Sequence, residues 1–171
     1  YGRWLQPKAH SILQQINEIE HSTTSEKLQG QLQIGASSTI ANYLLPGTVA
    51  HFVTDNPQVS VDLKVGNTKQ VIDDLLHLRI DLGFIEGLCN EHNIDPLPWR
   101  KDKLVVFCSP RHPLADQPKI SPAQLSAQQW ILRESGSGTR EIFTMASHGI
   151  LDKLPLTLEL GNSEAIKQAV K

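Results

Sequence analysis

The sequence predicts an α/β protein of two lobes with mostly parallel sheets, preceded by one long helix. Three observations predict it. Apolar residues over 3–22 repeat with the spacing of a helix that packs on a partner helix. Between residues 31 and 85, strand patterns alternate with helix patterns, which implies parallel strands joined by crossovers. Residues 103–171 repeat that alternation as a second set. The expected organisation is a linker and dimerisation helix over 1–29, a first lobe over 30–98 and a second lobe over 99–171.

In the leading helix, Leu5, Ala9, Ile12, Ile16 and Ile19 are spaced 4, 3, 4 and 3 apart, an a/d seam. Pro7 is tolerable there only in the first turn. The polar run 21–27 reads as a tether between this helix and the first lobe, which favours a helix–helix interface over packing on its own domain.

Leu32, Ile34 and Ala36 alternate as a first strand. Ser37-Ser38-Thr39 then offers a cap for a helix carrying Ile40, Leu44, Leu45, Val49, Phe52 and Val53. Pro46 must bend this helix or mark its true first turn, and Asn56-Pro57 ends it. Val59, Val61, Leu63 and Val65 alternate as a second strand, stopped by Gly66-Asn67. Val71, Ile72, Leu75, Leu76 and Leu78 form the next helix, and Asp81-Leu82-Gly83-Phe84-Ile85 a short third strand ending at Glu86-Gly87.

Residues 88–102 read as a polar connection. Leu104-Val105-Val106-Phe107-Cys108 is an unbroken apolar run, the expected signature of a strand buried on both faces. Ser121-Pro122 opens a short helix, with Ser as cap and Pro at its first position. Trp130-Ile131-Leu132 is a strand. Ser135-Gly136-Ser137-Gly138-Thr139-Arg140 is a turn into a helix over about 140–149, with Gly149 suited to its C-terminal cap. Leu156, Leu158 and Leu160 alternate as a last strand, and Asn162-Ser163 starts a last helix.

Composition narrows the function. With 39% hydrophobic and 20% charged residues, the chain of 171 residues is an ordinary globular one. A net charge of −2 argues against a broad phosphate-holding surface. No apolar run is long enough for a membrane span, and the polar start is not a signal-peptide core. The absence of an initiator Met suggests a chain trimmed from something longer. Cys89 and Cys108 fit neither a disulfide framework nor a metal spacing and read as reduced thiols of a cytosolic protein, Cys108 as an inert buried one.

Three hydroxyl- or glycine-bearing helix starts follow strands: Ser37-Ser38-Thr39, the turn Ser135-Gly136-Ser137-Gly138-Thr139, and Asn162-Ser163. Helix N-termini expose N–H groups and partial positive charge, and ligands of open α/β sheets sit beyond the carboxyl ends of strands. The bland alternative for each is plain N-capping. Gly136 and Gly138 let backbone approach a ligand, and Arg140 can add charge or a two-pronged clamp. Asn67, Thr68, Glu86 and Gly87 also lie at strand ends. Glu86 is awkward for an anion and serves better as an acceptor of ligand protons or a partner for a cation. Catalysis has weak support: Ser137 sits in no GxSxG elbow, and the Gly/Ser turn lacks the Lys of a phosphate-binding loop. Seven histidines without close pairing give a metal site none.

Asn42-Tyr43-Leu44-Leu45-Pro46, Phe52, Asn56-Pro57-Gln58-Val59, Leu63, Gly66, Leu75-Leu76 and Ile80-Asp81-Leu82-Gly83-Phe84-Ile85 together resemble the opening of LysR-type effector domains. Lys103-Leu104-Val105-Val106, Arg111-His112-Pro113-Leu114-Ala115, Leu125 and Trp130-Ile131 resemble their second lobe, and the 1–29 helix resembles the linker helix that pairs subunits. The resemblance implies a type-2 periplasmic-binding-protein fold of two Rossmann-like lobes, used in the cytoplasm as a sensor. It places an effector between the lobes, against positions matching Ser37, Ser38, Thr39, Asn67, Thr68 and 135–140. The SGSGTR turn resembles a subgroup linked to sulfur oxyanions or other small anions. The implied partners are that small-molecule effector, further copies of the chain as homodimer or homotetramer, and DNA only through a winged helix-turn-helix expected before Tyr1, with no membrane and no cofactor. Elements closing the first lobe are expected after residue 171, which leaves its sheet one or two strands short. The alternatives are an extracytoplasmic solute-binding protein of a transporter, and a hydrolase or transferase using Cys108 or Ser137.

Overall fold

Alternating apolar side chains build the first sheet of the structure, a computed structural model that describes residues 8, 9, 11–13, 15, 16, 28–147 and 155–171. Strand β1 (Gly30–Ser37) lies between β2 (Val59–Gly66) and β3 (Leu82–Phe84), all parallel, in the order β2-β1-β3. Leu32 pairs with Val61, Ile34 with Leu63 and Ala36 with Val65, so their apolar side chains share one face. On that face lie helices α1 (Ser38–Tyr43) and α2 (Leu45–Asp55), and Ile34, Ala36, Ile40, Ala41 and Leu45 form the buried core. The two helices are the single helix expected from the sequence, broken at Leu44, with Pro46 in the first turn of α2. A proline is harmless there because its missing N–H has no intrahelical partner to lose.

The opposite face of β1 carries helix α3 (Thr68–Leu76), whose Val71 and the neighbouring Ile80 are buried. The crossovers β1 to β2 and β2 to β3 run in opposite directions along the sheet, and with the same right hand they place their helices on opposite faces. The approach at Gly35 is close: a Cβ there would stand 2.5 Å from Ile80 Cδ1 and 3.4 Å from Val71 Cγ1. Asn67 caps α3, accepting from the Gln70 N–H at 3.0 Å while the Gln70 side chain accepts from the Asn67 N–H at 2.8 Å.

At its other end α3 closes in a Schellman arrangement. Leu78 N–H donates to the Leu75 carbonyl at 3.0 Å and Arg79 N–H to the Asp74 carbonyl at 2.8 Å. Leu78 adopts φ 54°, a left-handed conformation that costs an L-residue about 1–2 kcal/mol. Leu78→Gly is therefore expected to raise stability by about 0.5–1 kcal/mol after the entropy lost by glycine, read as a higher urea midpoint.

The chain divides into two units: the first runs to Ile85 and takes in Asn90–Ile94, and the second comprises Glu86–Cys89 and Asp95–Lys171. In the second, β4 (Trp130–Arg133) pairs in parallel with β5 (Leu156–Leu160), with an irregularity between Trp130 and Ile131. Helices α4 (Pro122–Ser126), α5 (Gly138–Ala146) and α6 (Ser163–Ala169) belong to it as well. Ser121 caps α4 as expected, through a reciprocal bond with Gln124. Trp130 is buried, donates from Nε1 to the Leu125 carbonyl at 3.0 Å and packs on Phe143 with ring centroids 5.2 Å apart.

Several expectations are corrected in this unit. Residues 101–109 form no regular element, and Leu104, Val105, Val106, Phe107 and Cys108 are exposed, Val105 by 63%. Apolar residues make a buried strand only where an edge takes their N–H and C=O groups, and among the described residues β4 and β5 pair only with each other. Cys108 is thus an exposed thiol, not an inert buried one, and Cys89 is half-buried and free. Leu156 and Leu158 sit in a strand, yet both are exposed. Helix α5 begins at Gly138 and ends at Ala146 with Ser147 as its cap, so it starts two residues early and stops short of Gly149, which lies outside the described residues.

In the leading segment the described residues 8, 9, 11–13, 15 and 16 are helical, and the rest of the 3–22 pattern lies outside the described residues. Ile12 and Ile16 of the seam are exposed. No helix among the described residues is long and apolar enough to cross a membrane, and no group of His, Cys, Asp and Glu among them could hold a metal ion.

Candidate functional site

Each unit gathers its candidate residues at the carboxyl end of its own sheet, the end where parallel strands hand over to helix N-termini. In the first unit, parallel pairing sets Ser37 opposite Gly66. Ser37-Ser38-Thr39 and Asn67-Thr68 are therefore neighbouring turns. Ser37 is the N-cap of α1, extended at φ −64° and ψ 153°, but its side chain makes no capping bond. Its residue is 2% exposed, and its Oγ is the one buried side-chain polar atom without a hydrogen-bond partner among the described residues. Leaving such a group unsatisfied costs about 1–3 kcal/mol. Ser38 and Thr39 are half-buried in the first turn of α1. Asn67 is committed to capping α3, and the buried Thr68 is already partnered.

In the second unit, Arg133 at the end of β4 lies opposite Leu160 at the end of β5, so the turns after them adjoin. Gly136 holds φ 87°, a region open to glycine, and so turns the backbone into α5. Ser137 is buried and caps α5 without a side-chain bond; its N–H donates to the Glu134 carbonyl at 3.2 Å. Ser135 is exposed, Gly138 buried, and Thr139 half-buried in the first turn of α5. Gly87 has φ 96°, and a Cβ on it would meet Gly138 Cα at 3.2 Å, so the Glu86-Gly87 segment rests directly on the start of α5. Glu86 is half-buried and already partnered. Arg140 donates from Nη1 to the Arg133 carbonyl at 3.2 Å, which closes the turn.

The last candidate pair opens α6. Asn162 caps α6, accepting from the Ala165 N–H at 2.7 Å. Ser163 Oγ accepts from Arg133 Nη1 at 3.3 Å.

That contact brings in a group that sequence reasoning misses. Arg133 is 4% exposed. Its guanidinium donates to both carboxylate oxygens of Glu134, from Nε at 2.8 Å and Nη2 at 2.9 Å, and Nη2 also reaches the Gly161 carbonyl at 3.3 Å. The only signal for it in the sequence is an Arg-Glu pair directly after an apolar strand and before a Gly/Ser turn. Arg is so seldom fully buried without a partner that the adjacent carboxylate is itself the clue.

Chemically, each unit by itself offers hydroxyls and backbone amides at a helix start, groups that form hydrogen bonds with small polar molecules.

A family model, the LysR substrate binding domain, matches residues 25–171. The chain is similar to an uncharacterised HTH-type transcriptional regulator, YeiE of Escherichia coli K12, at 47% identity over 173 residues, covering 100% of this chain and 57% of that protein. It thus spans little more than half the length of that relative. Among solved structures it is similar to the CcmR regulatory domain of Synechocystis PCC6803 in complex with 2-PG, at TM-score 0.76 and 32% identity, covering 83% of this chain and 68% of that one. The effector-binding domain of QuiR in complex with shikimate shares the fold, at TM-score 0.75 and 24% identity, covering 84% of this chain and 69% of that one.

Proposed function

This chain belongs to the LysR substrate-binding-domain family, and from that premise we propose that it is the effector-sensing part of a cytoplasmic DNA-binding transcriptional regulator. The family is one of regulators, not of enzymes, and no catalytic step enters the reading. The effector is a small polar molecule, with small anions, sulfur oxyanions among them, the first class to test. DNA contact belongs to a part of the regulator outside this chain. Effector binding shifts the balance between two arrangements of the regulator by differential affinity. Exposed Ile12 and Ile16 on the seam of the leading helix support self-association through that helix.

One observation carries the site assignment: the buried, unpartnered Ser37 Oγ at the carboxyl end of β1. A ligand that hydrogen-bonds it supplies the partner that the fold itself does not. The regulator relatives favour sensing over solute transport.

The test begins with a thermal-shift screen of sulfate, phosphate and small carboxylates on the whole chain. A true effector at a hundred times its Kd stabilises by about 2.7 kcal/mol. Ser37→Ala is then expected to leave the ligand-free chain at least as stable, because it deletes an orphaned hydroxyl. It should also weaken effector binding about tenfold, or ~1.4 kcal/mol. Undiminished affinity in Ser37→Ala would sink the assignment.

A further inference from the structure

We propose that Arg133 is the positioning residue of the effector-contacting turn, locking the turn over 134–138 to the turn over 161–163 so that they move as one body. The inference rests on the sensor reading given above only for what the turn contacts; the coupling itself stands on hydrogen bonds.

Those bonds form a closed circuit within the second unit. The guanidinium grips both oxygens of Glu134 on one side and Ser163 Oγ and the Gly161 carbonyl on the other. Glu134 in turn holds the Ser137 N–H through its carbonyl, and Arg140 from the first turn of α5 ties back to the Arg133 carbonyl. A displacement at the start of α6 thus reaches the amides that open α5 through the Ser163–Arg133 bond, the rigid guanidinium with its paired bonds to Glu134, and the Glu134–Ser137 bond. Arg suits this role because its five N–H donors lie in a fixed fork. A lysine at the same place keeps the charge beside Glu134, but its three donors on one nitrogen cannot replace the four bonds that the guanidinium spreads over three nitrogens.

Ser163 enters the circuit as an acceptor: its Oγ takes a bond from Arg133 Nη1, so a change at Ser163 is passed on through the guanidinium. Removing that hydroxyl is the mildest cut available, because Ala is tolerated at the first position of a helix and the cap from Asn162 remains.

The test uses the whole chain, isotopically labelled, without ligand, as Ser163→Ala and Arg133→Lys. Coupling predicts that Ser163→Ala shifts the amide resonances of Ser135, Gly136, Ser137 and Gly138, residues distant from it in sequence. Shifts confined to residues around Gly161, Asn162 and Ala165 would overturn the proposal. Inorganic sulfate, titrated by calorimetry, is the second arm. Arg133→Lys is expected to bind it about tenfold more weakly, with an unchanged affinity counting against the positioning role. Should the unaltered chain take up no sulfate, sulfate is excluded as the effector, and the amide shifts alone decide the role of Arg133.

Discussion

Arg133→Ala is expected to destabilise the second unit by about 2–3 kcal/mol. The guanidinium is 4% exposed, and the substitution deletes two charge-assisted bonds to Glu134 together with those to Ser163 and Gly161. Breaking a fully buried ion pair from one side costs about 3–5 kcal/mol. The figure here falls lower because the Glu134 side chain keeps 21% exposure and can draw on solvent. Trp130 reports the event: it is buried three residues upstream on the same strand, and its fluorescence follows unfolding of this unit. A urea titration with Trp4 and Trp99 replaced by Phe isolates that signal. A midpoint equal to that of the unsubstituted chain would show that the buried pair contributes no net stability.

The contrast between the two units explains what can be read from sequence. In the first, Leu32, Ile34 and Ala36 alternate against Val61, Leu63 and Val65, and period-two alternation leaves few choices of face or register. The turns are equally plain, since Asn56-Pro57, Gly66-Asn67 and Pro46 each act through local backbone chemistry. In the second unit, Leu104-Val105-Val106-Phe107 carries the composition of a buried strand. Burial, though, depends on which partner arrives, and no local pattern encodes the partner. Ser-Gly repeats read as turn and so point to a start of α5 at Arg140, whereas Gly138 and Thr139 already lie within the helix.

The site shows the same division. Hydroxyls and glycines at strand ends are legible as types: Ser37, Ser137 and Gly138 stand where helix starts need them. What distinguishes Ser37 from Asn67 is not. Both cap a helix, yet Asn67 closes a reciprocal bond with Gln70 while the Ser37 hydroxyl is left unsatisfied. Both caps have extended backbone, so the difference lies in where each side chain finds a partner, which the residue type alone does not state. Arg133 escapes a sequence reading because the apolar strand pattern stops at Leu132 and charged residues as a rule face water.

Leu45→Ala is expected to have the largest effect of any single change in the first unit, about 3–4 kcal/mol. Leu45 is 2% exposed and the largest fully buried side chain among the described residues. It packs with Ile34, Ala36, Ile40 and Ala41, and so joins both helices to the sheet at the break between them. Leucine-to-alanine changes in cores cost about 2–5 kcal/mol, depending on how far the surroundings collapse into the void. Collapse is restricted here, because Pro46 stiffens the next residue and β1 is held by hydrogen bonds on both sides, which argues for the upper half of that range. Hydrogen exchange at the amides of Ala36 and Leu63 measures it, with rates rising about 150- to 1000-fold if these amides exchange by global opening of the unit. Leu45→Met, which conserves volume, should cost less than about 1.5 kcal/mol. Equal exchange in the two variants would mean that Leu45 does not hold the junction. The α1 start, and with it Ser37, would then need another anchor.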